Sequence, residues 1–292
     1  VISIIIPNLH SPLIDQVVAA IERQTAREHI GEIIVVGQDR FGKIPASARS
    51  VATPAPISAA AARNLGARQA AGEHVLFLDA DCLAAPDLVE RLLARHAQGY
   101  AVVGGAMALE ADSYWVLCDN LLSFHDVLVS AAAGAREYLP SFCLSIRRAV
   151  FAQSGGFDER YAGAAGEDMD LSLRLRQHGH TLYFDPAAWV EHRPPRASAR
   201  AMWRHQRAFG RGYCQVVRQN MLRQSPLLSL HPPMLPLILA ASPALACKDI
   251  LALFVRSPVL RSRGRACFGM VWGRIGWYTG ALGARQAPVV RS

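Results

Sequence analysis

At 292 residues, 51% hydrophobic and 18% charged, the chain is long enough to bury a sizeable core and too apolar for general disorder. Its net charge of +8 hides an asymmetry: residues 193–292 carry 16 Lys and Arg against one acid, Asp249, so that segment holds +15 and leaves −7 on the first 192 residues. A neutral-to-acidic domain is therefore followed by a basic segment suited to an anionic surface; its long apolar stretches fit phospholipid better than nucleic acid, and no nucleic acid partner is expected.

The six cysteines, Cys82, Cys118, Cys143, Cys214, Cys247 and Cys267, are scattered. None lies two residues from another and no His pair has zinc-ligand spacing, which suits reduced structural thiols in a cytosolic setting. The opening run Val1–Ile6 has no basic region or cleavage-site pattern, so no secretory signal is expected.

Ile2 to Ile6, β-branched and closed by Pro7, predict a strand buried on both faces of a parallel sheet. Ser11-Pro12 then reads as the cap and first turn of a helix carrying Leu13, Ile14, Val17, Val18 and Ile21. A second strand at 32–36 completes a β-α-β unit. An Ala-rich helix near 58–70 leads to a third strand, 74–78, which ends in Asp79-Ala80-Asp81. In open α/β sheets ligands bind beyond the carboxyl ends of strands, so two acids there are candidates for a site. Further along, the pattern predicts a helix at 87–96, a strand at 101–105, a long helix at 113–133, a strand at 142–146, a helix at 167–177 and separate strands at 181–184 and 190–192. Arg193-Pro194-Pro195 marks a boundary. Beyond it Arg196, Arg200, Arg204, Arg207 and Arg211 share one helical face, which Gly210 and Gly212 are expected to loosen. Residues 225–247 are uncharged but hold five prolines, and no stretch of about 20 clean apolar residues is expected to span a membrane.

Three elements can do chemistry. Asp79 and Asp81 offer oxygen ligands for Mg²⁺ or Mn²⁺, ions that bridge diphosphate oxygens, although acids after strands also serve as turn residues. Glu167-Asp168-Met169-Asp170 opens a helix, where capping explains carboxylates and where the same field keeps a general base ionised. His192 ends a strand, and neutral imidazole is an acceptable Mn²⁺ ligand.

Taken in order, the strand closed by Pro7, Ala62-Arg63-Asn64-Leu65-Gly66, Phe77-Leu78-Asp79-Ala80-Asp81, Gly155-Gly156-Phe157-Asp158-Glu159, Glu167–Leu175 and His192 resemble the family 2 glycosyltransferases. The resemblance covers residues 1 to about 195. It implies an α/β GT-A fold, a nucleotide-binding mixed sheet flanked by helices, over 1–195, with 196–292 as a helical, basic and apolar appendage on the membrane or acceptor side. It implies a metal-dependent, inverting transfer from a UDP-, GDP- or dTDP-sugar to a hydroxyl acceptor, lipid-linked or another cell-envelope glycan precursor. Asp81, Asp79 and His192 would hold Mn²⁺ or Mg²⁺. Asp168 would be the base, with Glu167 in support, and Pro7, Asn8, Asp39, Arg63, Asn64 and Asp79 would line the donor site.

The family's acid directly after the second strand is absent; Gly37-Gln38-Asp39 stands there, leaving base recognition to a shifted Asp39 or to Gln38. Trp115, Arg204 and Arg207 are candidate acceptor contacts. The Gln-x-x-Arg-Trp motif of processive synthases is not matched by Trp203-Arg204-His205-Gln206-Arg207, which favours transfer of one sugar. Peripheral or monotopic attachment to the inner face of the cytoplasmic membrane is expected from the basic and apolar segments. The competing readings are a nucleotidyltransferase, which would need a Gly-rich loop where Asn8-Leu9-His10-Ser11 stands, and an inactive nucleotide- or lipid-binding module.

Overall fold

The structure, a computed structural model, describes residues 1–109, 113–161, 165–220 and 235–284. The chain divides into two compact units: Val1–Glu110, Asp126–Ala162 and Glu167–Arg193 form the first, and Ala111–His125, Gly163–Gly166 and Pro194–Ser292 the second. The second unit thus takes described residues 113–125 and 165–166 together with those from 194 on.

The first unit is built on a nine-stranded mixed sheet. Its strands are β1 (Ile2–Leu9), β2 (Ile30–Gln38), β3 (Arg49–Ala52), β4 (His74–Leu78), β5 (Cys82–Ala84), β6 (Val102–Ala108), β7 (Gly134–Arg136), β8 (Cys143–Arg147) and β9 (Leu182–His192). The order is β3-β2-β1-β4-β8-β6-β9-β5, with β7 also paired to β9. β1, β2, β3 and β4 are parallel, and β8 runs antiparallel to both β4 and β6. Ile2, Ile4, Ile5 and Ile6 are fully buried because β1 lies between β2 and β4. Helices α1 (Ile14–Glu22), α2 (Ala59–Gln69), α3 (Leu88–Ala97), α5 (Arg148–Gln153) and α6 (Glu167–Gln177) belong to this unit, while α4 (Tyr114–Phe124) belongs to the second.

Several expectations are corrected. Helix α1 starts at Ile14, and Ser11 does not cap it; its hydroxyl accepts from the Leu13 N–H and donates to the Ala80 carbonyl, tying the turn to the next strand end. The helix expected over 113–133 stops at Phe124, and Met107 of β6 exchanges backbone hydrogen bonds with Val127 and Val129. The apolar run therefore serves two cores. The two strands expected at 181–184 and 190–192 are one strand, β9, because its register against β6 jumps between Gly105 and Ala106. The jump accommodates Pro186, which has no N–H to give a ladder.

In the second unit α10 (Cys267–Ala284) packs most closely on α7 (Ala199–Gln219) and also on α8 (Leu235–Arg256), and a short turn, α9 (Pro258–Arg261), follows α8. Gly210 does not loosen α7: a Cβ there would meet the Trp277 carbonyl at 2.0 Å, and one at Gly280 would meet the Arg207 carbonyl at 1.9 Å. The glycines let two backbones touch. Helix α8 runs unbroken through Pro243, and the Leu239 carbonyl that the missing N–H would have served accepts from the Ser242 hydroxyl at 2.8 Å. Residues 236–256 are in consequence long and apolar enough, by length and composition, to cross a membrane, contrary to the sequence expectation. Asp119, fully buried on α4, accepts from Arg196, His205 and Gln206. Burial works against its charge, yet His205 and Arg196 hold its carboxyl down to about 2.

Replacing Gly280 with Ala forces the α7 and α10 backbones apart and is expected to cost about 1–3 kcal/mol in urea unfolding, the range for overpacking a tight interface.

Candidate functional site

β4 delivers Asp79 and α6 delivers Glu167 and Asp168, and a guanidinium from α2 joins the two elements. Arg63, itself buried, donates from Nη2 to Asp79 Oδ1 at 2.7 Å and from Nη1 to Glu167 Oε1 at 3.0 Å. Burial opposes its charge, but the carboxylates of Asp79 and Glu167 outweigh that and raise its pKa further, so the cation is permanent. Glu167 is buried with Oε2 lacking any hydrogen-bond partner. That burial, reinforced by the neighbouring Asp168, pushes its carboxyl up to about 7 despite Arg63.

Asp168 is half-buried and well held. Its Oδ2 accepts from the Tyr138 hydroxyl at 2.8 Å and the Ser141 N–H at 3.4 Å, and its Oδ1 from the Met169 N–H at 2.9 Å. Burial raises its pKa, with the Tyr138 bond and Arg63 working the other way. Burial and the Asp168 charge lift the Tyr138 phenol well above its ordinary value, so it stays a donor. Tyr138 and Ser141 have no motif around them and escaped sequence reasoning; only the weak signal of a Tyr in a turn-rich stretch preceding β8 was available.

Asp81 and His192 meet because β5 pairs antiparallel with β9, opposing Cys82 to His192. The imidazole Nε2 lies 3.5 Å from Asp81 Oδ1, and the ring stacks on Phe142 with centroids 6.1 Å apart. Asp81, Cys82 and His192 each bring a ligand atom within 4.8 Å of the others. The donor set fits a hard divalent cation: carboxylate oxygen and imidazole suit Mn²⁺ or Mg²⁺ with retained waters. Cys82 is not expected to ligate, since burial, with Asp81 and Asp79 adding to it, raises its thiol pKa well above the ordinary value and keeps it protonated. Asp79 precedes this cluster by one turn, its carbonyl accepting from the Cys82 N–H.

Where β1 and β2 end, a cleft of about 630 Å³ is lined by residues that include His10, Gln38, Asp39, Ile44, Ser50 and Thr53. Asp39 shapes this cleft, accepting from the N–H groups of Phe41, Lys43 and Ile44. Its slight burial works against its charge, and those bonds lower its pKa overall. Pro7 pairs with Val36 in the β1–β2 ladder, and the Asn8 amide bonds to the Gln38 carbonyl and the Ser11 N–H, fixing the turn beside the cleft. Asn64, expected to line the donor pocket, spends its amide inside the chain: it donates to the Phe157 carbonyl and to Glu159, and accepts from the Phe157 N–H. It clasps the Gly155–Glu159 turn.

The acceptor candidates all lie in the second unit. Trp115 is half-buried on α4, and Arg204 and Arg207 are exposed on α7. Arg196 leaves the expected arginine stripe: it precedes α7 and its Nε donates to Asp119 at 2.8 Å.

Residues 46–188 match the family described as "Glycosyltransferase like family 2". Over 275 residues the chain is 26% identical to validoxylamine A glucosyltransferase of Streptomyces hygroscopicus subsp. limoneus, an alignment covering 80% of this chain and 58% of that protein. The chain therefore spans under two thirds of that relative's length. A 63-residue segment, 22% of this chain and 20% of the relative, is 41% identical to N-acetylglucosaminyl-diphospho-decaprenol L-rhamnosyltransferase of Mycobacterium tuberculosis (strain CDC 1551 / Oshkosh). Among solved structures, a mannosyltransferase from Pyrobaculum calidifontis in complex with GDP-Man and Mn²⁺ superposes with a TM-score of 0.61 at 19% identity, covering 97% of this chain and 86% of that one. The fold is that of the GT-A class. Within it, residues 46–188 are similar to the family 2-like glycosyltransferases.

Removing the Tyr138 hydroxyl with Tyr138→Phe deprives Asp168 of its shortest hydrogen bond. Hydrogen bonds to charged groups contribute about 1.5–3 kcal/mol, so kcat of the sugar transfer considered below is expected to fall about 10- to 100-fold with donor affinity unchanged. Steady-state kinetics with calorimetric donor titration separates the two.

Proposed function

We propose that the protein transfers one sugar, with inversion at the anomeric carbon, from a nucleotide-sugar to a hydroxyl on a lipid-linked or other cell-envelope glycan precursor. The observation that carries this is the Arg63 bridge from Asp79 to Glu167, which sets the base candidate Asp168 in the same assembly as the strand end bearing Asp79 and Asp81. In this reading the cleft beside Gln38 and Asp39 takes the base of a UDP-, GDP- or dTDP-sugar, with Pro7 and Asn8 in the strand end and turn that adjoin it. Its volume lies within the range of about 300–1,000 Å³ usual for small-molecule sites.

Asp81 and His192, with Asp79, would hold Mn²⁺ or Mg²⁺, which when bound supplies neutralisation of the charge on the departing diphosphate. The Asp168 carboxylate accepts the proton of the acceptor hydroxyl, whose oxygen forms the new bond to the anomeric carbon as the bond to the nucleoside diphosphate breaks. Arg63 keeps Asp79 and Glu167 in place, and Tyr138 and Ser141 aim the base. Trp115, Arg204 and Arg207 are assigned to the acceptor side. The +15 of residues 193–292 supports a site of action at the inner face of the cytoplasmic membrane, and the name of the M. tuberculosis relative supports a polyprenyl-diphosphate-linked acceptor.

A screen of UDP-, GDP- and dTDP-sugars for Mn²⁺-dependent thermal stabilisation is expected to give a hit with one base, since ligand bound only by the folded form raises apparent stability. Asp81→Asn should abolish the metal-dependent part of that shift. Asp168→Asn should keep it and lose about 10²- to 10⁴-fold in turnover, the range for general-base removal; full turnover in both variants overturns the roles. The acid limb of the rate against pH should lie above the ordinary carboxylate range, because the folded-state pKa of Asp168 is raised and the base works only when ionised. Transfer then grows as pH rises through that value and fails as pH falls below it. A limb near pH 4 would contradict this.

A further inference from the structure

Helix α8 has two faces, and both are apolar. Ile238, Ser242, Ala246 and Ile250, four residues apart, are buried against the rest of the second unit, where Ile238 joins Cys214 of α7 with Ala281 and Leu282 of α10 in one core. Asp249 locks this face down, accepting from Arg274 at 2.9 Å and from the Tyr278 hydroxyl at 2.7 Å, both on α10. The opposite face carries Leu237, Ala241, Ala244, Lys248, Leu251 and Val255 at spacings of three and four, and Leu237, Leu251 and Val255 are 65%, 66% and 65% exposed. A helix at a water-facing surface puts charge on its outer side; this one offers a single lysine.

The next residues complete the pattern. Arg256, Arg261 and Arg265 are exposed where α8 passes into α10, and Phe268, in the first turn of α10, is 72% exposed. A surface with an apolar stripe and a cationic end needs an occupant that is apolar and anionic. A second copy of the chain would bring the same arginines against these and repel them. An anionic bilayer interface supplies acyl chains for the stripe and phosphates for the guanidiniums. Because one face of α8 is committed to α10 through Asp249, the helix is held in the plane of such a surface with only its outer side free.

We propose that the outer face of α8, with Phe268, inserts shallowly into the interface of an anionic bilayer while Arg256, Arg261 and Arg265 bind lipid phosphates. This assigns residues to the membrane attachment proposed above and does not depend on sugar transfer; the test contains no nucleotide-sugar, so its failure and that of the transferase reading are separable.

The test is flotation of the full chain with vesicles of phosphatidylcholine alone or mixed with phosphatidylglycerol. The expected result is binding to the mixed vesicles that weakens with salt. The double variant Leu251→Gln/Val255→Gln should keep its thermal midpoint and partition about tenfold less, having lost two exposed apolar side chains. The triple variant Arg256→Gln/Arg261→Gln/Arg265→Gln should lose the preference for anionic lipid. Undiminished partition of the double variant overturns the proposal. So does resistance of the vesicle-bound chain to alkaline carbonate extraction, which would mean a spanning helix, and so does a wild-type dimer that binds no vesicle and that the double variant dissolves.

Discussion

The site depends on one buried cation. Asp79 and Glu167 are 88 positions apart in the chain, and Asp168 stands beside the latter, so bringing β4 and α6 together concentrates negative charge in a poorly solvated region. Arg63 makes that possible, giving one nitrogen to each side. Its planar fork suits two acceptors at once, which a lysine point charge would not. Removing one member of such a buried set leaves the others uncompensated, at about 3–5 kcal/mol. The guanidinium also lies over the Phe157 ring at 5.4 Å, and Phe157 packs on Phe77 of β4. Its neighbour Asn64 holds the turn that carries Phe157, so two adjacent residues of α2 set both the charge and the packing beneath the strand end.

Within that frame the acids are held for different work. Glu167, with one oxygen on Arg63 and the other unpartnered, has its carboxyl pushed up to about 7 by burial. Asp168 keeps three donors on its carboxylate, which offset part of the burial that raises its pKa. Asp81 is turned to the imidazole of His192, which the antiparallel pairing of β5 with β9 sets opposite Cys82.

Much of this was readable from the chain. Buried parallel strands announce themselves as unbroken β-branched runs, and acids placed directly after such a run at Asp79 and Asp81, or at a helix start at Glu167 and Asp168, sit where a sheet gathers ligands. What escaped were facts fixed by partners remote in sequence. Nothing near Arg63 says that its fork faces two carboxylates, nor near Asn64 that its amide is spent on a turn 93 residues away. Tyr138 lies outside any regular element, and its hydroxyl matters only because β8 and α6 are neighbours of that loop. The same holds for Gly210: local propensity makes it a helix breaker, whereas contact with the Trp277 carbonyl makes a side chain there impossible. Proline 243 misled in the same direction, since its cost is met by a serine hydroxyl one residue before it.

The charge asymmetry acquires a structural meaning in the second unit. Its two acids among the described residues are both turned inward: Asp119 is enclosed by Arg196, His205 and Gln206, and Asp249 is held by Arg274 and Tyr278. Since the Asp119 carboxyl is held down to about 2, its pairing persists across any physiological pH. Each acid thus consumes basic partners inside the unit and lends little negative field to the outside, while Arg200, Arg204, Arg207, Arg211, Arg256, Arg261 and Arg265 remain exposed. The outward field of this unit is positive by construction, and that sign, more than any single arginine, selects the kind of surface it can approach.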